Sequence, residues 1–443
     1  MDLQSISKNK AKFVLSFSVP SIISMVLVSL ITVTDGYFIG NYVGSEGLAA
    51  VNLGLPVVYL NLAVGLMVSV GGSTIAGIAL GSGDYKKCVN VFNQTVVITF
   101  VSSCVTAALC YVLFTPMLHV LKAEGIIASY FREYFTLMLF EYPLLVLSTS
   151  FGMFMRSDGK PEFSMLVNIV NVVLNGVLDF IFSKYFGWGI KGIAVASIIS
   201  AVVTVLLGVI FFLRISINYK FSKFSFNGKD VKNTFLNGSS EFIGEMASCI
   251  SMFCYNFVIM KYVGVDGVSA FTVAGYTIYI FSMVTLGFGQ GMCPLVSFVY
   301  GGKDFKTAAS LRKITNAFVF ASGVVFAMFL LLANNWYSSL FVKSEAVQKM
   351  TQEGIRYLSF VFLITGFNVI GSMYFTSCGK ALPSAIISML RGIVILLICI
   401  FTLPRFFRMT GVWLTSPVTE AVTLVVTFIF IKAYSEKKSS RID

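Results

Sequence analysis

The chain has 443 residues, of which 57% are hydrophobic and only 12% charged, and its mean hydropathy is +0.86. Soluble domains carry about 25% charged residues and disordered chains are apolar-poor, so both classes are excluded and a polytopic membrane protein is expected. The net charge of +12 then reads as basic loops on the cytoplasmic side of a membrane, not as a surface for nucleic acid.

Lys8, Lys10 and Lys12 precede a first apolar run with no small-residue cleavage site, so it reads as a span that stays, not a removable signal. Runs of the ~20 residues needed to cross a ~30 Å hydrocarbon core lie at 13–36, 50–80, 89–113, 131–154, 163–182 and 190–213. Six more lie at 236–260, 268–299, 313–333, 354–377, 384–403 and 410–432, which makes twelve. A barrel-like alternation is absent, so an all-α membrane protein is expected. The second and eighth runs are long and Gly-rich, and are expected to be tilted, bent or extended beyond the bilayer. The eight cysteines form no CxxC pair, and most sit in apolar runs, where cysteine acts as a small hydrophobe. His119 is the only histidine and there is no HExxH, so a membrane-embedded enzyme lacks its constellation. No cofactor is expected.

Twelve spans return both termini to one side. That side receives 21 of the 32 Lys and Arg residues, the other receives ten, and Arg391 falls within a span. The excess places both termini in the cytoplasm of a cell or plasma membrane.

The two halves repeat. Tyr42-Val43-Gly44-Ser45-Glu46-Gly47 matches Tyr262-Val263-Gly264-Val265-Asp266-Gly267. Gly81-Ser82-Gly83-Asp84-Tyr85-Lys86 matches Gly301-Gly302-Lys303-Asp304-Phe305-Lys306. Ser157-Asp158-Gly159-Lys160 matches Ser377-Cys378-Gly379-Lys380. All three matches share an offset of 220 residues. The expected domains are a six-helix lobe at 1–213, a basic cytoplasmic linker at 214–235 and a second six-helix lobe at 236–443. An even number of spans per half relates the lobes by a pseudo-two-fold axis along the membrane normal, as in two-lobed transporters with a substrate site at the interface.

An ionisable residue at the centre of a span costs at least ~2.5–3.5 kcal/mol, so each needs a reason. Asn168, Asn171, Asn175 and Asp179 are spaced by 3, 4 and 4 residues, which puts them on one helical face. Asn175 and Asp179 form a hard-oxygen pair suited to Na⁺ or a proton. Asp179 lies about 24 Å along its span, near the level of Ser197 in the sixth. Asp35 lies in the outer part of the first span, beyond a hinge candidate at Pro20. An offset of 220 maps Asp35 onto Tyr255 and Asp179 onto Cys399, so the acids belong to one lobe only. Glu245 is a candidate for binding a cationic substrate or a second proton, and Glu141 is a further candidate for substrate, with structural pairing as the alternative for each. Glu241 is read as snorkelling toward the interface. Arg391 and Glu420, at similar depths, read as a structural ion pair.

Thr34-Asp35-Gly-Tyr-Phe-Ile-Gly40, Gly47-Leu-Ala-Ala50 with Pro56, Met155-Arg156-Ser157-Asp158-Gly159-Lys160-Pro161, and Asn175-Gly-Val-Leu-Asp179-Phe-Ile-Phe before Gly187-Trp-Gly-Ile-Lys-Gly192 resemble the MATE family of multidrug and toxic compound extrusion transporters, bacterial type. The resemblance spans essentially the whole chain. It implies a secondary antiporter that exports drug-like, often cationic, organic compounds in exchange for H⁺ or Na⁺ by alternating access. It also implies a cation site at Asp35, Asn175, Asp179 and a hydroxyl at Ser197, where threonine is frequent, and no resident metal beyond Na⁺. The acid that some members place in the seventh helix aligns nearer Cys249, one turn after Glu245. The acid that several carry in the tenth helix is missing, with Asn368 the nearest polar residue. The expected partners are small organic molecules and the lipid bilayer, with the chain a monomer. A lipid-linked sugar flippase of the same superfamily is the alternative, disfavoured because a pyrophosphate would call for several cavity cations.

Overall fold

The computed structural model describes residues 2–120 and 122–439, with side chains described as far as Tyr434. The basic residues after 434, counted above toward the topology, lie outside the described side chains. The first ten long helices are α1 (Lys10–Tyr42), α2 (Leu55–Gly81), α3 (Tyr85–Val120), α4 (Gly125–Ser157), α5 (Pro161–Lys184), α6 (Gly189–Ile210), α7 (Gly228–Tyr262), α8 (Val265–Gly301), α9 (Phe305–Leu332) and α10 (Glu345–Ser377). Short helices at Leu3–Lys8, Ser45–Leu53 and Asn334–Phe341 sit at the ends of the bundle. No strand occurs among the described residues.

Eleven stretches are long and apolar enough to span a membrane, and the last, Ala381–Tyr434, has 54 residues. At 1.5 Å per residue that stretch would run about 80 Å, far beyond a ~30 Å core. It is two spans. Arg408 has φ 47° and ψ −124°, outside helical geometry, and the chain reverses there. A Cβ on Gly411 would fall 2.5 Å from the Leu403 backbone carbonyl, so only glycine fits where the returning helix passes the incoming one. The two arms are α11 (381–407) and α12 (409–434). Twelve helices therefore form two six-helix lobes, α1–α6 and α7–α12.

The expected second run is not one bent helix. Ser45–Leu53 and Leu55–Gly81 are separate, and a Cβ on the intervening Gly54 would fall within the Phe135 ring. The eighth run is one continuous helix through Pro294. The repeated sequence motifs turn out to be turns. Gly44 and Gly264 have φ 103° and 94°, Gly83 and Lys303 have 80° and 63°, and Gly159 and Gly379 have 85° and 67°. Each pair is a left-handed position at which a helix ends, where glycine avoids the Cβ penalty.

The first and last described segments lie on one face. Leu3 packs near Gly302, and the Lys380 ammonium lies 6.0 Å from the Tyr434 ring centroid. The lobes seal against each other in the half of the bundle next to that face. A Cβ on Gly71 or Gly238 would strike the α7 or α2 backbone, at Thr234 and Met67 respectively. Gly81 and Gly301 lie against Phe298 and Ile78, and a Cβ on Gly291 would fall 2.6 Å from Ser18 Cα. Small residues permit such approaches, which membrane helices use for dispersion contact.

The connection between the lobes is shorter than 214–235. A π turn at Phe211–Ile215 ends α6, non-helical chain runs from 216 to 227, and α7 begins at Gly228. Three side-chain amides of α3 hold that chain in two directions each. Asn93 donates to the Lys220 carbonyl at 2.9 Å and accepts from Ser222 N–H at 3.2 Å. Asn90 does the same at Ser225, with bonds of 3.0 and 2.9 Å, and Gln94 at Asn227, with 3.2 Å in each direction. The Asp158 carboxylate accepts from Ile217 N–H and Asn218 N–H, both at 3.2 Å. The buried Tyr219 packs between Phe92 and Phe154.

Candidate functional site

Three polar regions interrupt the apolar bundle. The first lies within the first lobe, where α1, α4, α5 and α6 meet. Gly176 brings α5 against α1, since its Cβ would lie 3.6 Å from Thr34 Cγ2. Asn175 and Asp179 flank that contact on α5, and Asp35 follows Thr34 on α1. Asp179 is 0% and Asn175 1% exposed. The Asp35 carboxyl lies near enough to the Asp179 carboxyl and the Asn175 amide to interact with both. Asp35 Oδ1, both Asp179 oxygens and Asn175 Oδ1 are buried without a hydrogen-bond partner among the described residues. Two neighbouring buried carboxylates repel when both are charged, and a buried charge must be paired or neutralised. A shared proton or a Na⁺ ion supplies what these oxygens lack, and an all-oxygen donor set suits either.

Ser197 stands one residue removed from the acids. The Asn175 amide donates to its hydroxyl at 3.2 Å, so it orients Asn175. Glu141 belongs to this region and not to the interface between lobes. It is buried on α4 and within electrostatic reach of Asp35. The sequence reading missed Tyr134, which is buried and within electrostatic reach of Asp35, Glu141 and Asp179. The signal was its seven-residue spacing from Glu141, two turns along the same helical face. Tyr142 adds a buried hydroxyl with no partner among the described residues. Among those residues, no group of three or more His, Cys, Asp or Glu side chains is placed to hold a metal ion.

Pro20 lies inside an uninterrupted α1. The Ser21 hydroxyl donates to the Phe17 carbonyl at 2.8 Å, beside the backbone bond that proline cannot make. Gly287 and Gly291 of α8 press on Ile22 and Ser18 on either side of it.

The second region lies between the lobes. Glu245 of α7 is partly buried and within electrostatic reach of Tyr59 on α2 and Tyr279 on α8. These tyrosines are 220 positions apart, so each lobe contributes the same position. Glu241, one turn along, is within electrostatic reach of Glu245 and Cys293.

The third region lies in the second lobe. At the positions equivalent to Asp35 and Asp179 stand Tyr255 and Cys399, within reach of each other, and the Tyr255 hydroxyl lies 3.0 Å from Ser416 Oγ. A neutral pair thus replaces the acid pair. Nearby, Arg391 Nε donates to Glu420 Oε1 at 2.6 Å and Nη2 to Thr365 at 2.8 Å. Thr365 and Asn368 Nδ2 donate to the two Glu420 oxygens at 2.9 and 2.7 Å, and Thr427 donates to Asn368 Oδ1 at 2.9 Å.

Known proteins share this architecture. The chain is 22% identical over 425 residues to multidrug export protein MepA of Staphylococcus saprophyticus, covering 95% of this chain and 93% of that one. It is 21% identical to MepA of Staphylococcus aureus strain RF122, with the same coverage. Among solved structures, a multidrug resistance MATE family transporter in an outward-facing conformation superimposes with a TM-score of 0.91 at 22% identity, covering 97% of each chain. The D35N mutant of the Vibrio cholerae MATE transporter VcmN superimposes with a TM-score of 0.91 at 17% identity, covering 98% of each. The MatE family model matches twice, at residues 20–181 and 242–401, once in each lobe, and the chain belongs to the MATE family.

Proposed function

We propose that this chain is a secondary antiporter that exports drug-like, cationic organic molecules in exchange for H⁺ or Na⁺, by alternating access. The observation that carries the reading is the meeting of Asp35 and Asp179, with unpartnered oxygens, inside one lobe whose twin holds Tyr255 and Cys399 instead. Taking up a cation there removes the repulsion between the two carboxylates and so biases a two-state equilibrium. The ion must bind the two states unequally, because equal binding shifts nothing. Glu245 between Tyr59 and Tyr279 offers a cationic substrate a carboxylate and π faces. The MepA relatives, named multidrug export proteins, support the same reading.

In this proposal the protein is a monomer of the plasma membrane with both termini in the cytoplasm. It acts as a carrier without a cofactor and not as an enzyme. Pro20 lets α1 repack when the acids change charge. The test is efflux of a fluorescent organic cation from proteoliposomes under separately imposed Na⁺ and pH gradients. One gradient drives efflux in the wild type, and Asp35→Asn and Asp179→Asn each abolish the driven component. Retained driven efflux in both variants at normal expression overturns the assignment.

A further inference from the structure

We propose that the second lobe contains an anion subsite, in which Arg391 binds the carboxylate of an aromatic organic acid. The subsite goes beyond the cation exporter proposed above and is tested independently of it.

A cavity of about 220 Å³ lies within that lobe, walled by α7, α8, α10, α11 and α12. A cavity of about 150 Å³ accommodates benzene, so this one holds a substituted aromatic ring. Phe281 and Phe362 line it, with their ring centroids 5.0 Å apart. The remaining wall is largely hydroxyl-bearing, and its only charged side chains are Arg391 and Glu420.

The orientation of that pair decides the sign of charge a ligand meets. Glu420 is 5% exposed, and its oxygens already accept from Arg391, Thr365 and Asn368. Arg391 has 35% of its side chain exposed while lining the cavity. Its Nε and Nη2 are committed, and Nη1 makes no hydrogen bond among the described residues. The acid is saturated from behind, and an end of the guanidinium fork remains free in front. The free Nη1 in that position can donate to a carboxylate. The backbone supports the reading, because Arg391 sits in a π turn, Leu390–Val394, inside an otherwise α-helical span. Such turns displace side chains from the α-helical register and recur at functional sites.

The experiment uses the full chain in nanodiscs and three probes of one shape: 1-naphthoate, its methyl ester and 1-naphthylammonium. Equilibrium binding is followed by naphthyl fluorescence. Naphthoate is expected to bind saturably and at least tenfold more tightly than the ester or the amine. Arg391→Lys, which keeps the charge and loses the fork, weakens naphthoate at least tenfold. Ser282→Leu fills the cavity and, with no hydrogen bond to Arg391 or Glu420 in the wild type, decides the matter if the first variant unfolds. It is expected to weaken naphthoate at least tenfold at an unchanged melting temperature. Equal affinity for the ester would show a merely apolar pocket and overturn the assignment, as would unchanged naphthoate binding in Ser282→Leu. Loss of ion-driven cation efflux with naphthoate binding intact would instead count against the antiport reading alone.

Discussion

Gly238 of α7 lies so close to Met67 of α2 that a methyl group at position 238 would land on the Met67 carbonyl oxygen. Neither backbone can yield without moving its lobe. Gly238→Val is therefore expected to disfavour the seal next to the termini and to shift the protein toward the opposite state. Packed interfaces of this kind switch between discrete arrangements and do not deform smoothly. Spin labels at Ser82 and Lys303, at the ends of α2 and α8, report the change as a longer distance, and efflux falls at least tenfold. An unchanged distance distribution in a folded variant would refute the expectation.

The bond from Asn175 ties Ser197 to the residue beside the acid pair. Ser197→Ala should cost about 1 kcal/mol and weaken coupling-ion affinity roughly fivefold. Asp179→Asn removes an ionisable group and should eliminate ion dependence altogether. The ion concentration that gives half-maximal efflux separates the two outcomes.

Removal of one member of the Arg391–Glu420 pair strands the other. Glu420→Ala should destabilise the protein by about 3 kcal/mol, toward the lower end of such effects because Arg391 is 35% exposed. Arg391→Gln combined with Glu420→Gln should recover most of that loss. Melting temperatures in detergent for the single and double variants close the cycle.

The linker gives a fourth expectation. Asn93→Ala removes three bonds to the linker, one at Lys220 and two at Ser222. Trypsin should then cut after Lys220 and Lys223 at least tenfold faster than in the wild type, with the remaining chain still resistant. Equal cleavage rates would mean that the neighbouring amides suffice.

The sequence carried some of this architecture and not the rest, for physical reasons. Spacings of 3, 4 and 4 revealed the Asn175–Asp179 face, because helical periodicity is a property of the chain itself. The repeat located the turns, since left-handed positions tolerate few residues. Periodicity does not say which neighbour a face meets. Glu141 therefore stays open between substrate binding and structural pairing on sequence alone, its electrostatic reach to Asp35 has no pattern to show it, and Tyr134 goes unnoticed. The break at Gly54 depends on contact with Phe135, which no local pattern encodes, whereas the gap between the runs 384–403 and 410–432 contains the reversal at Arg408. Asn90, Asn93 and Gln94 fall at the start of the run 89–113. Their partners are backbone groups some 130 residues later, and a backbone partner has no sequence signature.

Those three amides also determine how much slack joins the lobes. The linker is fastened along α3 as far as Asn227, the Asn227 side chain caps α7 by accepting from Lys229 N–H at 3.0 Å, and Lys87 grips Asp230 at 3.3 Å. No free leash remains between the first lobe and the first turn of α7. The second lobe must then turn about that point as a lever about a fulcrum. Its far end then travels farther than the tethered end in any opening or closing of the lobes.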